Sequence, residues 1–144
     1  KGYTSGRSDY KVRVHMNPAQ ANVKALAFVG DAVYELYIRN MICSDLSLGG
    51  NADLMHKKAI RYVRAESQAK AIKHMMNSFL TEDELGLVKR ARNHKTPNRS
   101  RSAGAVEYKL ATAFEALIGF LHANGDEERV LAIMSKAVEI IEEE

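Results

Sequence analysis

The chain has 144 residues, of which 46% are hydrophobic and 27% are charged, and its formal net charge is +3. This length fits one globular domain, and the composition excludes a disordered or fibrous chain. No apolar stretch is long enough to span a bilayer, and the first ten residues lack the apolar core of a signal peptide. The single Cys43 fits a reducing compartment. A cytoplasmic location is therefore expected.

The spacing of apolar residues predicts an all-helical protein. Asn17-Pro18 predicts the start of a first helix that runs to about Cys43, because proline suits the first helical position. Gly49-Gly50 then interrupts the chain, and Asn51 is placed to cap the next helix. That second apolar pattern continues to about Met76, with a kink before its last third.

The second half of the chain predicts further helices. Thr81-Glu-Asp-Glu84 has the pattern of a capping box, and the helix that it opens is expected to end near Asn93. Residues 94–105 are basic and rich in Ser, Gly and Asn, which predicts an exposed loop. A helix from Val106 to Ala123 follows, and the acids at 126–128 open a last one, where negative charge favours the helix N-terminus.

Basic residues are concentrated in the middle of the chain, in two groups. Such groups are the footprint expected of a polyanion such as RNA, although solvated helix faces explain them about equally well. The candidate RNA-binding residues are Lys57, Lys58, Arg61 and Arg64 in the first group and Lys89, Arg90, Arg92, Lys95, Arg99 and Arg101 in the second.

Two acids, Asp31 and Glu115, lie within apolar helical sequence. Burying an unpaired carboxylate is costly, so each is expected to pair with a base, stay neutral or bind a metal. Gly30 precedes Asp31 and Gly119 follows Glu115 by one turn, and glycine within a helix usually marks a close approach. If the two helices pack side by side, the carboxylates meet at one cation. Mg²⁺ fits best, because it is usually held by one or two carboxylates and keeps several waters.

Structural alternatives stay open for these acids. Asp31 and Glu35 share a helical stripe with Lys24 and Arg39, and they could belong to a surface ion-pair ladder. Glu115 could be a core residue neutralised by an arginine. The five histidines have no zinc-ligand spacing and are interpreted as incidental.

Several segments resemble ribonuclease III domains. Leu26-Ala-Phe-Val-Gly-Asp-Ala-Val-Tyr-Glu35 resembles their signature helix, and Thr112-Ala-Phe-Glu-Ala-Leu-Ile-Gly119 resembles their second acidic helix. With Leu54-Met-His-Lys-Lys58 and Lys89-Arg-Ala-Arg-Asn93, the match is to Mini-ribonuclease III, the short bacterial branch with the catalytic domain alone. The resemblance divides the chain into an N-terminal arm, residues 1–18, and a catalytic domain, residues 19–144.

This resemblance implies a homodimeric, all-helical endoribonuclease that cleaves double-stranded RNA with Mg²⁺. The expected substrate is the precursor of 23S ribosomal RNA. Asp31 matches the signature aspartate and Glu115 the metal-binding glutamate, so both are the expected catalytic and metal-binding residues. Phe28 matches an aromatic residue that packs into the partner subunit. Larger relatives carry further acids where this chain has Ala27 and Thr112, which implies fewer protein ligands and more water around the metal.

Two other functions stay open. A catalytically inactive RNA-binding module of the same fold is favoured by the loss of acids at Ala27 and Thr112. A helical DNA-binding or scaffold protein would bind duplex DNA and RNA alike and would not respond to chelators.

Overall fold

The computed structural model describes residue 20, residues 22–94 and residues 103–143. Within these ranges the fold is all-helical, which confirms the predicted class, and none of the helices is long and apolar enough to cross a membrane. The predicted arm, residues 1–18, lies outside the described residues, as do Lys95, Arg99 and Arg101. The helices are α1 (Val23–Cys43), α2 (Ala52–Val63), α3 (Ala65–Ser78), α4 (Glu82–Arg92), α5 (Ala103–Ala123) and α6 (Glu127–Glu142), with a 3₁₀ turn at Leu46–Leu48.

Two predicted helix starts were wrong. The helix α1 begins at Val23 and not at Asn17-Pro18, because Asn22 has extended backbone angles and its side chain accepts a hydrogen bond from the Ala25 N–H at 3.2 Å. Such a cap satisfies a donor that has no partner within the helix. The helix α5 begins at Ala103, three residues before the predicted start. The last three residues of the predicted loop at 94–105 are therefore helical. Two of them are alanine, the best helix former.

The other local signals are confirmed. The Asn51 side chain accepts from the N–H groups of Asp53 and Leu54, and Thr81 and Glu84 form the reciprocal capping box. The predicted kink in the second helical region is a break at Arg64, which separates α2 from α3. Ser67 stabilises this break, since its hydroxyl donates to the Arg61 carbonyl at 2.6 Å.

The helix α5 lies at the centre of the core, and α1, α3, α4 and α6 all pack against it. Phe114, in the middle of α5, is fully buried, and its ring meets the ring of Tyr34 edge to face with centroids 4.9 Å apart. The Tyr34 hydroxyl also donates to the Tyr62 carbonyl at 2.9 Å, which ties α1 to the end of α2. The apolar faces of α1 and α5 are thereby held in a fixed relative position.

An ion pair between Glu84 and Arg129 connects α4 to α6. The guanidinium of Arg129 contacts the Glu84 carboxylate at 2.8 Å and also donates to the Phe79 carbonyl at 2.9 Å. Burial alone raises the pKa of Glu84, but the hydrogen bonds from Arg129 and Thr81 outweigh it and hold the pKa below its ordinary value. The first turn of α4 is therefore anchored by a satisfied charge.

Candidate active site

The helices α1 and α5 cross with their backbones in direct contact at two glycines. A Cβ atom on Gly30 would overlap the carbonyl oxygen of Glu115, and a Cβ atom on Gly119 would overlap the carbonyl oxygen of Leu26. Only glycine permits this approach. The crossing confirms the close approach that the sequence predicted, and it places Asp31, the residue after Gly30, beside the turn of α5 that carries Glu115.

The acids of the two helices influence one another at this crossing. Asp31 is exposed on α1, while Glu115 is half-buried on α5. Burial raises the pKa of Glu115 to about 7, and the negative charges of Asp31 and then Glu35 add to the rise. Within the described residues Glu115 forms no ion pair, so the alternative of a core glutamate neutralised by an arginine is not found there.

The predicted ion-pair ladder on α1 is present only in part. Glu35 pairs with Arg39 at 3.8 Å, and both side chains are largely exposed, so the pair contributes little stability. Asp31 has no ion pair with any residue that the structure describes. Within the described ranges, the carboxylate next to the crossing therefore has no cationic partner.

The donor set at the crossing fits a hydrated divalent cation. Among the described residues, no three His, Cys, Asp or Glu side chains converge as one metal-binding group. An ion held there would therefore take protein ligands from Asp31 and Glu115 and complete its shell with water, which is the habit of Mg²⁺. A dication would also relieve the repulsion that raises the pKa of Glu115.

A cavity of about 370 Å³ opens beside Glu115, between α1 and α5 at the end of α4. The small side chains of Ala27 and Thr112 help to leave this space. The Thr112 hydroxyl donates to the Tyr108 carbonyl at 2.9 Å, so only its oxygen lone pairs stay available to a further partner. The other residues that line the cavity are Lys24, Phe28, Ala91, His94, Tyr108 and Lys109.

Comparison with known proteins identifies the family. Residues 24–126 match the sequence model of the ribonuclease III domain. The chain is 40% identical to Mini-ribonuclease 3 of a Thermoanaerobacter species, over 82% of this chain and 81% of that protein. It is also 40% identical to Mini-ribonuclease 3 of Brevibacillus brevis, over 93% of this chain and 98% of that protein. The chain belongs to the ribonuclease III family.

A solved structure agrees with this assignment. The X-ray structure of a Fusobacterium nucleatum protein superposes with a TM-score of 0.68 at 36% identity, covering 82% of this chain and 92% of that one. The relatives place the protein in the Mini-ribonuclease III branch, and it is an endoribonuclease. The acid-bearing crossing and the cavity both lie within the matched residues.

The first predicted RNA-binding group of this Mini-ribonuclease III lies on or next to α2, and much of it has partners within the protein. The Lys58 ammonium contacts the Asp45 carboxylate at 2.7 Å, and Arg64 donates to the Ser67 hydroxyl at 2.9 Å. Arg61 lies over the ring of Tyr62. Lys57 is exposed. These contacts hold the turn before α2 and the break after it, and a role in RNA binding stays a prediction.

Only part of the second predicted RNA-binding group lies within the described residues. Lys89, Arg90 and Arg92 lie in the last turn of α4, where positive charge also suits the negative helix end. Their turn adjoins the cavity, because Ala91 and His94 line it. Cations at this helix end therefore stand close to the candidate active site.

Four residues that line the cavity were missed as site residues from the sequence: Lys24, His94, Tyr108 and Lys109. Lys109 had a usable signal, since it precedes Thr112 by three positions and thus shares a helix face with it. His94 and Tyr108 had none, because only the packing of α4 and α5 against α1 brings them to the cavity.

Alanine at Gly30 should destabilise the protein by about 2–3 kcal/mol, because the added methyl group meets backbone that cannot move aside. Gly86→Ala is the matched control: Gly86 lies within α4 with open space around it, so alanine there should stabilise by about 0.5–1 kcal/mol. Urea unfolding of both variants measures the difference. Equal stabilities would contradict the close crossing.

Glu115 should make the metal-free protein less stable as pH rises. Its folded pKa of about 7 exceeds the ordinary value of 4.5, so between these values the folded protein holds more protons than the unfolded chain, and stability falls with rising pH. Glu115→Gln should flatten this fall and stabilise the protein above pH 7 by about 1–2 kcal/mol, a figure reduced for partial exposure.

Urea unfolding in chelator at about pH 5 and about pH 8 measures this pH dependence. Glu107→Gln, on the same helix, is the control and should keep the wild-type profile. A Glu115→Gln profile as steep as that of the wild type would show that the carboxylate titrates near its ordinary pKa.

Proposed function

We propose that this endoribonuclease cleaves double-stranded RNA with Mg²⁺ and matures the precursor of 23S ribosomal RNA in the cytoplasm. The observation that supports the proposal is the close crossing of α1 and α5 at two glycines, where Glu115 interacts electrostatically with Asp31 and borders an open cavity. The Mini-ribonuclease 3 relatives support the reaction class. The short bacterial branch supports ribosomal RNA as the substrate.

Asp31 and Glu115 hold the cation in this proposal. The ion, when bound, supplies charge stabilisation at the phosphate and activates the attacking water. Glu115 must lose its proton to become a ligand, so cation binding and deprotonation are coupled. Thr112 offers an oxygen acceptor beside Glu115 and orients a water molecule that Ala27 leaves room for.

Duplex RNA is gripped through its phosphates in this proposal. A-form RNA is recognised mainly by shape, through phosphates and 2′-hydroxyl groups, so rows of Lys and Arg suit it. The α4 turn with Lys89 and Arg92 stands beside the cavity and is the nearest of the predicted groups to Asp31 and Glu115. Lys57 offers a further contact on α2.

The protein acts as a homodimer in this proposal, through the exposed face of α1. Phe28 is 83% exposed, and Val29 and Leu36 are exposed on the same helix. A row of large apolar side chains on one exposed helix face is typical of a protein interface. A two-fold dimer would present two catalytic sites, which suits cleavage of both strands of a duplex.

The alternative of an inactive RNA-binding module is opposed by the Mini-ribonuclease 3 relatives, and one observation agrees with it. No group of three metal-binding side chains is found in the described part of the chain, so the cation would rest on two carboxylates. This candidate predicts RNA binding with no discrete products in either the presence or the absence of Mg²⁺.

Asp31→Asn and Glu115→Gln should each lower the single-turnover cleavage rate of a 23S precursor stem by about a thousandfold or more, because metal-ion charge stabilisation contributes several kcal/mol. Both variants should stay folded, and both should lose the rise in melting temperature that Mg²⁺ gives the wild type. Glu107→Gln should retain cleavage and the Mg²⁺ effect. Retained cleavage in both site variants would overturn the assignment.

Phe28→Asp should convert the protein to a monomer in sedimentation velocity, because a charge replaces the most exposed large apolar side chain of α1. Leu131→Asp is the matched control, since Leu131 is 53% exposed on α6. It should leave the oligomeric state unchanged. A wild-type protein that sediments as a monomer at high concentration would remove the dimer from the proposal.

A further inference from the structure

Two lysines border the cavity beside Glu115 without a partner among the described residues. Lys24 comes from α1 and Lys109 from α5, and neither forms a hydrogen bond or an ion pair with a residue that the structure describes. Both line the same cavity as Glu115, yet neither forms an ion pair with it. Cations that stay unpaired next to acids in a shared cavity indicate an anionic ligand from outside the chain.

The position of Lys24 is unfavourable for helix stability. It lies in the first turn of α1, which contains no acid, and positive charge there opposes the helix dipole. Asn22 already caps this end of the helix. Local structure therefore gives no reason for a lysine at this position, whereas the adjoining cavity does.

The cavity has room for more than a single water molecule. It measures about 370 Å³ and is open to solvent, so a phosphate group can enter it from outside. A phosphodiester brings the negative charge that two ammonium groups and a cation neutralise together.

We propose that Lys24 and Lys109 form a phosphate-binding pair that holds the non-bridging oxygens of the RNA phosphate next to the one that is cleaved. This inference rests on the proposed function and names two substrate-binding residues for it. The pair fixes the register of the strand, while Asp31 and Glu115 hold the cation. Lys109 reaches the site from the same face of α5 as Thr112, and Lys24 from the turn of α1 before Ala27.

Neutral methylphosphonate linkages test the pair in single-turnover cleavage of a synthetic duplex with one cleavage site. In the wild type, a methylphosphonate at the neighbouring phosphate should slow cleavage about 10- to 100-fold, the worth of a charge-assisted hydrogen bond. Lys109→Ala and Lys24→Ala should slow cleavage of the normal duplex by a similar factor. Each single variant should lose less rate on the methylphosphonate duplex than the wild type does, and the variant with both lysines replaced should lose none, because both contacts are then absent.

Two variants control for charge and for fold. Lys109→Arg should retain most of the rate, because a guanidinium also binds phosphate. Lys73→Ala removes an exposed lysine on α3, which borders a different groove, and it should behave as the wild type on both duplexes. A further loss for Lys109→Ala on the methylphosphonate duplex, equal to that of the wild type, would overturn the pair.

Binding of duplex RNA tests the lysine pair independently of cleavage. In the Glu115→Gln background without Mg²⁺, we plot the logarithm of the RNA-binding constant against the logarithm of the salt concentration. Each lysine-to-alanine change should make the slope of this plot shallower by about 0.9. If the wild type proves unable to cleave, a lowered slope still supports the pair and an unchanged slope overturns it. Loss of dimer by Lys24→Ala, with an unchanged slope, would mean that a second copy occupies the cavity and would also overturn the pair.

Discussion

The backbone contact between α1 and α5 is the constraint on which the site depends. Gly30 contacts the Glu115 carbonyl and directly precedes Asp31. Gly119 contacts the Leu26 carbonyl and lies one turn after Glu115. Because main chain touches main chain, the separation of the two acid-bearing turns is set by rigid backbone. Close-packed interiors transmit such constraints with little relaxation. The two helices thus position Asp31 and Glu115 without help from long, flexible side chains.

Holding these acids together costs stability, and the rest of the fold compensates. Burial and the charges of Asp31 and Glu35 disfavour the ionised form of Glu115. Away from the crossing, the Tyr34 hydroxyl donates to a backbone carbonyl, and Glu84 is paired with Arg129. A local violation of ordinary rules within a consistent fold is typical of a functional site. The glycine crossing fixes the backbone positions of the two acid-bearing turns and thereby keeps Asp31 near Glu115.

The sequence predicted what depends on local chemistry and missed what depends on packing. The caps at Asn51 and Thr81 were correct because both bond to backbone within three residues. The start of α1 was misplaced because Pro18 strengthened the signal at Asn17, whereas Asn22 caps the helix. Lys58 could not be assigned a structural role in advance, since its partner Asp45 belongs to a different element. The close approach of α1 and α5 was predicted correctly because a glycine lies beside each acid within an apolar helix, whereas the roles of Asp31 and Glu115 stay a prediction.

The cavity explains why a site with few acids suits a polyanion. Side chains longer than Ala27 and Thr112 would fill the space beside Glu115, and added carboxylates would attract Lys24 and Lys109 into ion pairs. With two acids, the local negative charge is small enough for these ammonium groups to stay unpaired. An approaching phosphate then meets positive charge that is already in place, so little energy is lost in breaking internal ion pairs. Ala27 and Thr112 therefore account both for the small number of acids at the proposed cation site and for the open side of the cavity that Lys24 and Lys109 border.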